Sequence, residues 1–380
     1  MPSRPLPIAP AAQLALQDSD RLRVFIDPNA IAYNLAQLRR HVGQPQPRFW
    51  ATAKADAYGH GLLHALEGLH AADGISVQSL TEAHICRNAG WHGPILVHAG
   101  LLSAAETSLL SLSDLHLVIG DAGQIEWLAR ANLAQAPTIW LRYIGDTRFG
   151  GFDDRHYVQA YARLQTLLRQ GRVTGVAHFN HYGRAEEIGG IVDAHARFSA
   201  VIKGLPGLTS NCNSAALLLH PEHAATTHWV RPGLSLYGAS PLPHATGLEL
   251  GLKPAMSLIA RLTSTVRLAA GTSLGYNGAF VAPTAMRVGL VACGYADGYP
   301  RSAQTGTPVM VSDRRTRVLG RPSMDTVAID LTDLDHVCAG MPVVMWGDGL
   351  AVELVARSAN TIAAALFTGL TARVPVSVAH

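Results

Sequence analysis

Short apolar runs alternate with amphipathic stretches through the first two thirds of the chain. Stretches such as Leu80–Ala89 and Ile125–Ala131 have helical periodicity, and repeated strand–helix units at this spacing predict a parallel (β/α)8 barrel. The strand candidates number nine, one more than a barrel needs, so the first can pair elsewhere. They lie at Arg23–Ile26, Phe49–Ala53, Gly74–Val77, Pro94–Val97, Leu117–Ile119, Thr138–Leu141, Val173–His178, Leu208–Asn211 and Leu234–Tyr237.

The pattern changes after about residue 250. Short β-branched runs are now separated by Gly, Asp and Pro turns with little helical signal, which predicts a mostly antiparallel β domain. These runs lie at Val266–Leu268, Met286–Ala292, Pro308–Val311, Thr316–Leu319, Val327–Leu331 and Val343–Trp346. We therefore expect a flexible leader at 1–20, a barrel at 21–250 and a C-terminal β domain at 251–380.

Composition excludes several classes of protein. With 48% hydrophobic and 15% charged residues, the 380-residue chain has the material for a packed core. A scattered net charge of +3 does not favour nucleic acid or a membrane surface as partner. No apolar run approaches the roughly 20 residues of a membrane-spanning helix. Four widely spaced cysteines, with no CxxC pair and no HExxH motif, predict neither a disulfide framework nor a metal site.

The leader shows no secretory signal, because Pro5, Pro7, Pro10 and Gln13 interrupt any hydrophobic region. A cytoplasmic location is therefore expected by default.

Lys54 is the principal chemical candidate. It follows the apolar run Phe49–Ala53, and the chain has only two other lysines, Lys203 and Lys253. A lysine at the carboxyl end of a barrel strand points to the face where barrels keep their active sites. An amine there can lose its proton and form a Schiff base with a carbonyl compound.

The sequence around Lys54 resembles the cofactor-binding segment of alanine racemases, and the resemblance continues from about Val24 to Pro375. Eight further motifs occur in the order found in that family. They are Arg148-Phe149-Gly150, His178-Phe179, Asn213-Ser214-Ala215, Arg231-Pro232-Gly233, Gly275-Tyr276, the run 294–301 (GYADGYPR), the run 320–325 (GRPSMD) and Arg373-Val374-Pro375.

The resemblance implies a barrel followed by a β domain, pyridoxal 5'-phosphate as cofactor, and interconversion of L- and D-alanine by two bases. Lys54 would hold the cofactor and act on one face of the substrate Cα. Tyr276, in the β domain, would act on the other face in the active site of a partner subunit, so a head-to-tail homodimer is expected.

The resemblance also implies the cofactor contacts. Tyr58 and Ser214, with the backbone N–H groups of Gly233 and Leu234, would bind the phosphate. Arg231, placed by the strand pattern at the start of a barrel strand, would face the pyridine nitrogen.

His178 resembles the residue that supports the tyrosine base. A phenol with an ordinary pKa near 10 needs such support to act as a base.

For the substrate, the resemblance implies Arg148 and the backbone N–H of Met324. Arg148 would meet the substrate carboxylate or the phenolic oxygen of the cofactor. Most alanine racemases place a lysine, often carbamylated, seven residues before this arginine, whereas this chain has Leu141, followed by Arg142. The partner of Arg148 therefore remains open between Asp146, a chloride ion and none.

A second departure is Ala364-Ala365, where the family usually has Tyr-Glu. Loss of the tyrosine opens space beside the substrate side chain, so serine and somewhat larger amino acids are plausible substrates. A broad-specificity racemase, a barrel-type decarboxylase and a non-catalytic cofactor-binding protein are the alternatives. The sequence does not decide whether D-alanine is made as a peptidoglycan precursor or degraded.

Overall fold

The structure is a computed structural model that describes residues 14, 16–17, 19–44 and 46–379. The predicted leader at 1–20 lies largely outside the described residues. The chain forms two compact units. The barrel unit comprises Ile31–Leu236 and Pro241–His244, and the sheet unit comprises the described residues up to Ala30, Tyr237–Ser240 and the chain from Ala245 onward.

Eight parallel strands of the described chain close into a barrel in sequential order, which confirms the predicted fold class. The predicted strand at Leu234–Tyr237 is wrong, because this segment is a 3-10 turn and the last barrel strand precedes it. Arg231 consequently ends a strand rather than starting one. The strands are Arg48–Thr52, Gly74–Val77, Ile95–Val97, Leu115–Ile119, Thr138–Arg142, Gly175–Phe179, Thr209–Asn213 and Trp229–Arg231.

Helices follow most of the strands, as parallel pairing requires a crossover connection. Several begin with a side-chain cap: Ser79 and Glu82 form a reciprocal capping box, and Asp121 and Asp153 accept backbone N–H groups of the first turn. The helical segments are Pro28–Val42, Lys54–Gly59, Leu62–Gly68, Leu80–Asn88, Ala104–Leu109 (3-10), Ala122–Arg130, Asp154–Arg169, Val192–Val201, Ser214–Leu219 and Pro221–Thr226.

The interior of the barrel is an aromatic layer. Trp50 stacks on Trp229 with ring centroids 4.0 Å apart, and Trp140 meets Trp50 edge-on at 6.1 Å. Leu96, Val118, Ala177 and Phe179 complete this buried cluster. Because successive strand residues point to opposite faces, residues two positions beyond these side chains also face the interior, nearer the carboxyl ends of the strands.

The sheet unit contains a mostly antiparallel sheet, as predicted. The first candidate strand, Leu22–Ile26, lies here rather than in the barrel and pairs with Met256–Leu268 and Val376–Val378. An apolar run gives no information about its partner strand, so the sequence left this pairing open. The other strands are Ser273–Leu274, Phe280–Val281, Met286–Val291, Pro308–Val311, Arg314–Leu319, Val327–Asp330 and Pro342–Trp346.

Two helices, Val352–Ser358 and Ala363–Thr368, lie beyond the last of these antiparallel strands. The buried carboxylate of Asp297, within the 294–301 motif, binds Arg21 and accepts the Gly294 N–H at 2.9 Å. Part of this motif therefore serves the packing of the sheet unit. Among the described helices, none combines the length and apolar character needed to cross a membrane.

Candidate active site

Polar and charged side chains form the layer above the aromatic barrel core. Arg142 lies two residues beyond Trp140, and Arg231 two residues beyond Trp229. Ser76 is hydrogen-bonded to both Thr52 and His98, since its Oγ lies 3.1 Å from Thr52 Oγ1 and 3.2 Å from His98 Nε2. Alternation along the strands thus places a polar layer at their carboxyl ends, where barrel active sites are built.

Lys54 begins a turn of unusual handedness. Ala55, Asp56, Ala57 and Tyr58 have φ values of 53–55°, in the left-handed region that costs residues with a Cβ about 1–2 kcal/mol each. Asp56 stabilises the turn, as its carbonyl accepts the Gly61 N–H at 3.0 Å and its carboxylate accepts the Leu62 N–H at 2.6 Å. Strain of this kind is retained where function requires a particular geometry.

The electrostatic environment favours a neutral amine at Lys54. Burial lowers the pKa of Lys54, and the charges of Arg231 and Arg142 lower it further, while Glu82 partly opposes them. A lysine with a lowered pKa presents more of the unprotonated amine at neutral pH, which is the form that attacks carbonyl groups and accepts protons.

Arg231 is buried and held by several contacts. Its guanidinium donates to Ser210 Oγ and to the Asn180 carbonyl, both at 2.7 Å, and lies 3.9 Å from the centroid of the Phe179 ring. Burial lowers the pKa of Arg231 to about 9, so the group remains charged at neutral pH. Arg231 is therefore a fixed hydrogen-bond donor at the barrel mouth.

Tyr58, Ser214 and Gly233 converge at one point. Ser214 Oγ accepts the Gly233 N–H at 2.8 Å and lies 3.5 Å from the Ser235 nitrogen. A Cβ added at Gly233 would lie 3.0 Å from Tyr58 Cζ and closer still to the Tyr58 hydroxyl oxygen. Two hydroxyls and backbone N–H groups around a glycine form a donor set suited to a phosphate. Leu234 follows Gly233 at the start of the 3-10 turn.

Two asparagines whose backbone carbonyls accept from Arg231, Asn180 and Asn211, also carry unpaired side-chain amide atoms. Both side-chain amide atoms of Asn180 and Oδ1 of Asn211 are buried without a partner among the described residues. Buried polar atoms normally have partners, and an unpaired one needs an explanation. A phosphate cradle and a lysine with a lowered pKa, beside the cationic guanidinium of Arg231, together fit pyridoxal phosphate.

His178 is not brought to this layer, which corrects the role expected for it. It pairs in register with Leu141, so its ring points outward from the barrel, where Tyr157 Oη lies 2.9 Å from Nδ1 and the Leu205 carbonyl 2.9 Å from Nε2. The histidine beside Arg231 is His181, with Nδ1 3.4 Å from the guanidinium. Burial, with Arg231, Arg142 and Lys54, lowers the pKa of His181 to about 3.

Sequence reasoning missed His181 and Arg142 as site residues. The signal that could have found them is the two-residue alternation within a strand. Leu141, which stands seven residues before Arg148, is buried on the outer face of the barrel wall, whereas Arg142 faces the interior. Arg142 therefore points into the site, whereas Leu141, the position found by counting seven residues back from Arg148, does not.

Arg148 lies in the loop after this strand with φ 59° and an exposed side chain. Within the described part of the chain it has no hydrogen bond or salt bridge. Asp146, one of the partners considered for it, instead accepts the Gly183 N–H at 3.0 and 3.1 Å.

Tyr276 and Met324 belong to the sheet unit. Tyr276 starts a tight turn between Ser273–Leu274 and Phe280–Val281, and its side chain is 77% exposed. Met324 is 53% exposed, and its carbonyl accepts the Ala296 N–H at 3.0 Å. Both residues are thus available to a group outside the sheet unit.

Comparison with known families covers both units. Residues 26–241 match the family model "Alanine racemase, N-terminal domain", and residues 255–378 match "Alanine racemase, C-terminal domain". The chain belongs to the alanine racemase family. Alanine racemase from Bordetella petrii is 43% identical over 360 residues, covering 91% of this chain and 96% of that protein.

Solved alanine racemases share the fold. The biosynthetic alanine racemase from Pseudomonas aeruginosa has a TM-score of 0.89 at 39% identity, covering 95% of this chain and 99% of that one. Alanine racemase from Bartonella henselae, solved with covalently bound pyridoxal phosphate, has the same fold with a TM-score of 0.80 at 24% identity. That alignment covers 94% of this chain and 99% of the Bartonella chain.

Proposed function

We propose that this chain is an alanine racemase that interconverts L- and D-alanine with pyridoxal 5'-phosphate. The observation that carries the proposal is Lys54, an amine with a lowered pKa at the carboxyl ends of the barrel strands, beside the fixed cation Arg231. Curated relatives named alanine racemase, at 37–43% identity over most of the chain, support the same activity.

Several barrel residues would hold the cofactor. The phosphate would lie among the hydroxyls of Tyr58 and Ser214 and the N–H groups of Gly233 and Leu234, and the aldehyde carbon would meet Lys54. Bound pyridoxal phosphate withdraws electrons from the substrate Cα and so makes its proton removable. Arg231 would face the pyridine nitrogen. Because a guanidinium does not readily give up a proton, this nitrogen would stay unprotonated when the cofactor is bound, which would disfavour transamination and favour return of a proton to Cα.

Lys54 and Tyr276 are the proposed bases. The Lys54 amine would take or return the proton on one face of Cα, and the Tyr276 hydroxyl on the other. Tyr276 lies on an exposed turn, which supports a role in the active site of a second copy of the chain. We therefore propose a homodimer with shared active sites, in which Arg148 and the Met324 N–H contact the substrate.

A reducing compartment such as the cytoplasm is proposed for this enzyme. All four cysteines are free, and Cys86, Cys212 and Cys293 are buried. Burial raises the pKa of the Cys86 and Cys212 thiols to about 12, so both stay protonated and inert.

The test combines a chiral assay with chemical trapping. Protein loaded with pyridoxal phosphate should convert L-alanine to D-alanine without releasing carbon dioxide, and release would favour a decarboxylase instead. Borohydride reduction should then fix the cofactor to a peptide containing Lys54, and Lys54→Ala should abolish both results. Label on Lys203 or Lys253 would contradict the assignment.

A further inference from the structure

Arg142 occupies a position in the barrel mouth to which no role has been assigned. It is the last residue of strand Thr138–Arg142, and the two-residue alternation from buried Trp140 turns its side chain inward. Because the barrel strands follow chain order around the ring, this strand lies opposite Arg48–Thr52, the strand that leads to Lys54. Arg142 therefore approaches the centre of the mouth from the side facing the reactive amine.

The side chain of Arg142 is half-buried, and its guanidinium lies 6.0 Å from the centroid of the Phe179 ring, the ring that also packs against Arg231. Its charge contributes to lowering the pKa values of Lys54 and His181. Within the described chain, the Arg142 guanidinium has no hydrogen bond or salt bridge. A desolvated guanidinium of this kind is suited to an anion that arrives from solution.

Nearby protein carboxylates do not supply that anion. Glu82, which influences Lys54, accepts the Ala55 N–H at 3.2 Å, the Gln78 N–H at 2.6 Å and the Ser79 N–H at 3.1 Å. Two cationic guanidinium groups, those of Arg142 and Arg231, thus lie near the Lys54 amine. The one carboxylate of the described chain that acts on this amine, Glu82, is already bound to backbone donors. The charge balance of the mouth favours an anionic ligand group.

The position around the ring separates this anion from the phosphate. The cluster of Ser214 and Gly233 follows strands Thr209–Asn213 and Trp229–Arg231, and Trp229–Arg231 is adjacent to the strand before Lys54. The strand of Arg142 is two positions along the ring from Thr209–Asn213 and three from Trp229–Arg231. A ligand with its phosphate at that cluster and its reactive carbon at Lys54 would present the amino-acid portion to Arg142.

We propose that Arg142 binds the substrate carboxylate, as the inward-facing guanidinium opposite Lys54, and that it rather than Arg148 is the principal carboxylate anchor. This inference rests on the proposed racemase function. A charge-assisted bond from a half-buried arginine should strengthen carboxylate binding about tenfold to a hundredfold.

The experiment compares Arg142→Gln, Arg142→Lys and Arg148→Gln in the cofactor-loaded protein. Calorimetry measures the binding of propionate, which has the carboxylate of alanine without the amine, and of neutral propionamide. Arg142→Gln should weaken propionate binding at least tenfold and leave propionamide binding unchanged, while Arg142→Lys should restore part of it. The KM for alanine should rise in parallel, with a smaller change in kcat, and the absorbance spectrum of the bound cofactor should stay the same.

Three results would overturn the proposal. They are unchanged propionate binding in Arg142→Gln, loss of propionate binding in Arg148→Gln alone, and an altered cofactor spectrum or cofactor affinity in Arg142→Gln with normal propionate binding. The last result would assign Arg142 to the cofactor. A wild-type protein that binds propionate but does not racemise alanine would refute the proposed function and leave the Arg142 comparison valid.

Discussion

Replacing Gly233 with alanine would test the phosphate cradle directly. The Gly233 backbone is not in the left-handed region, so alanine can adopt it without strain. The added Cβ would nevertheless lie well inside van der Waals contact distance of the Tyr58 hydroxyl oxygen, 3.0 Å from Cζ and 3.3 Å from Cε2. Since Tyr58 is half-buried on a left-handed turn, its ring has to move away from the cradle as a unit.

The expected magnitude follows from this displacement. Overpacking by one methyl group costs about 1–3 kcal/mol, and loss of a hydrogen bond to a charged phosphate costs about 1.5–3 kcal/mol. The overpacking cost and the hydrogen-bond cost are alternatives, because displacement of the Tyr58 ring relieves the first and causes the second, so they are not added. We expect Gly233→Ala to raise the Kd for pyridoxal phosphate by about tenfold to a hundredfold.

Titration of cofactor-free protein with pyridoxal phosphate, followed by absorbance, measures this change. Gly175→Ala is the matched control, because a Cβ there would make ordinary contact, 3.5 Å from Thr138 Cγ2. In a Tyr58→Phe background the clash with the hydroxyl is removed, so Gly233→Ala should cost less there, with a coupling of about 1 kcal/mol. If Gly233→Ala binds pyridoxal phosphate with wild-type affinity, or if the effects of the two substitutions on this affinity are strictly additive, the proposed phosphate site is refuted.

Three further outcomes are expected. Mixing inactive Lys54→Ala and Tyr276→Phe chains should restore activity, because one site of each heterodimer retains both bases; no recovery after verified subunit exchange would contradict the shared site. Ala364→Tyr should lower the serine-to-alanine ratio of kcat/KM severalfold, since pocket selectivity of this kind is worth about 1–3 kcal/mol; an unchanged ratio would mean that the missing tyrosine is merely tolerated. His181→Asn should weaken the pH dependence of the free energy of unfolding. Folded His181 has a pKa of about 3, against an ordinary 6.5, so the unfolded state binds more protons between these values. The free energy of unfolding of the wild-type protein therefore falls as the pH drops below 6.5. Urea unfolding of cofactor-free protein at about pH 7.5 and about pH 5 measures this free energy. If it changes equally between the two pH values in wild type and His181→Asn, His181 does not contribute.

The sequence by itself was sufficient for the architecture and for the position of Lys54 after the first barrel strand. Continuous apolar runs at regular spacing predict a parallel barrel, and shorter runs between Gly and Pro turns predict the antiparallel sheet, because each pattern follows from which faces of a strand are buried. The ordered motifs add the family, and with it the expected roles of Tyr276 and Arg231. These conclusions depend on local chain chemistry and order, which the sequence contains directly.

The tertiary structure decided which strand each run joins and which face each side chain takes. Leu22–Ile26 belongs to the antiparallel sheet rather than to the barrel, and Arg231 ends a strand, whereas the sequence pattern placed it at the start of one. Leu141 and His178 face outward while Arg142 and Phe179 face inward, because a shift of one residue along a strand reverses the side-chain direction. Motif spacing cannot resolve a single residue of strand register, so the site needed the paired strands to define it.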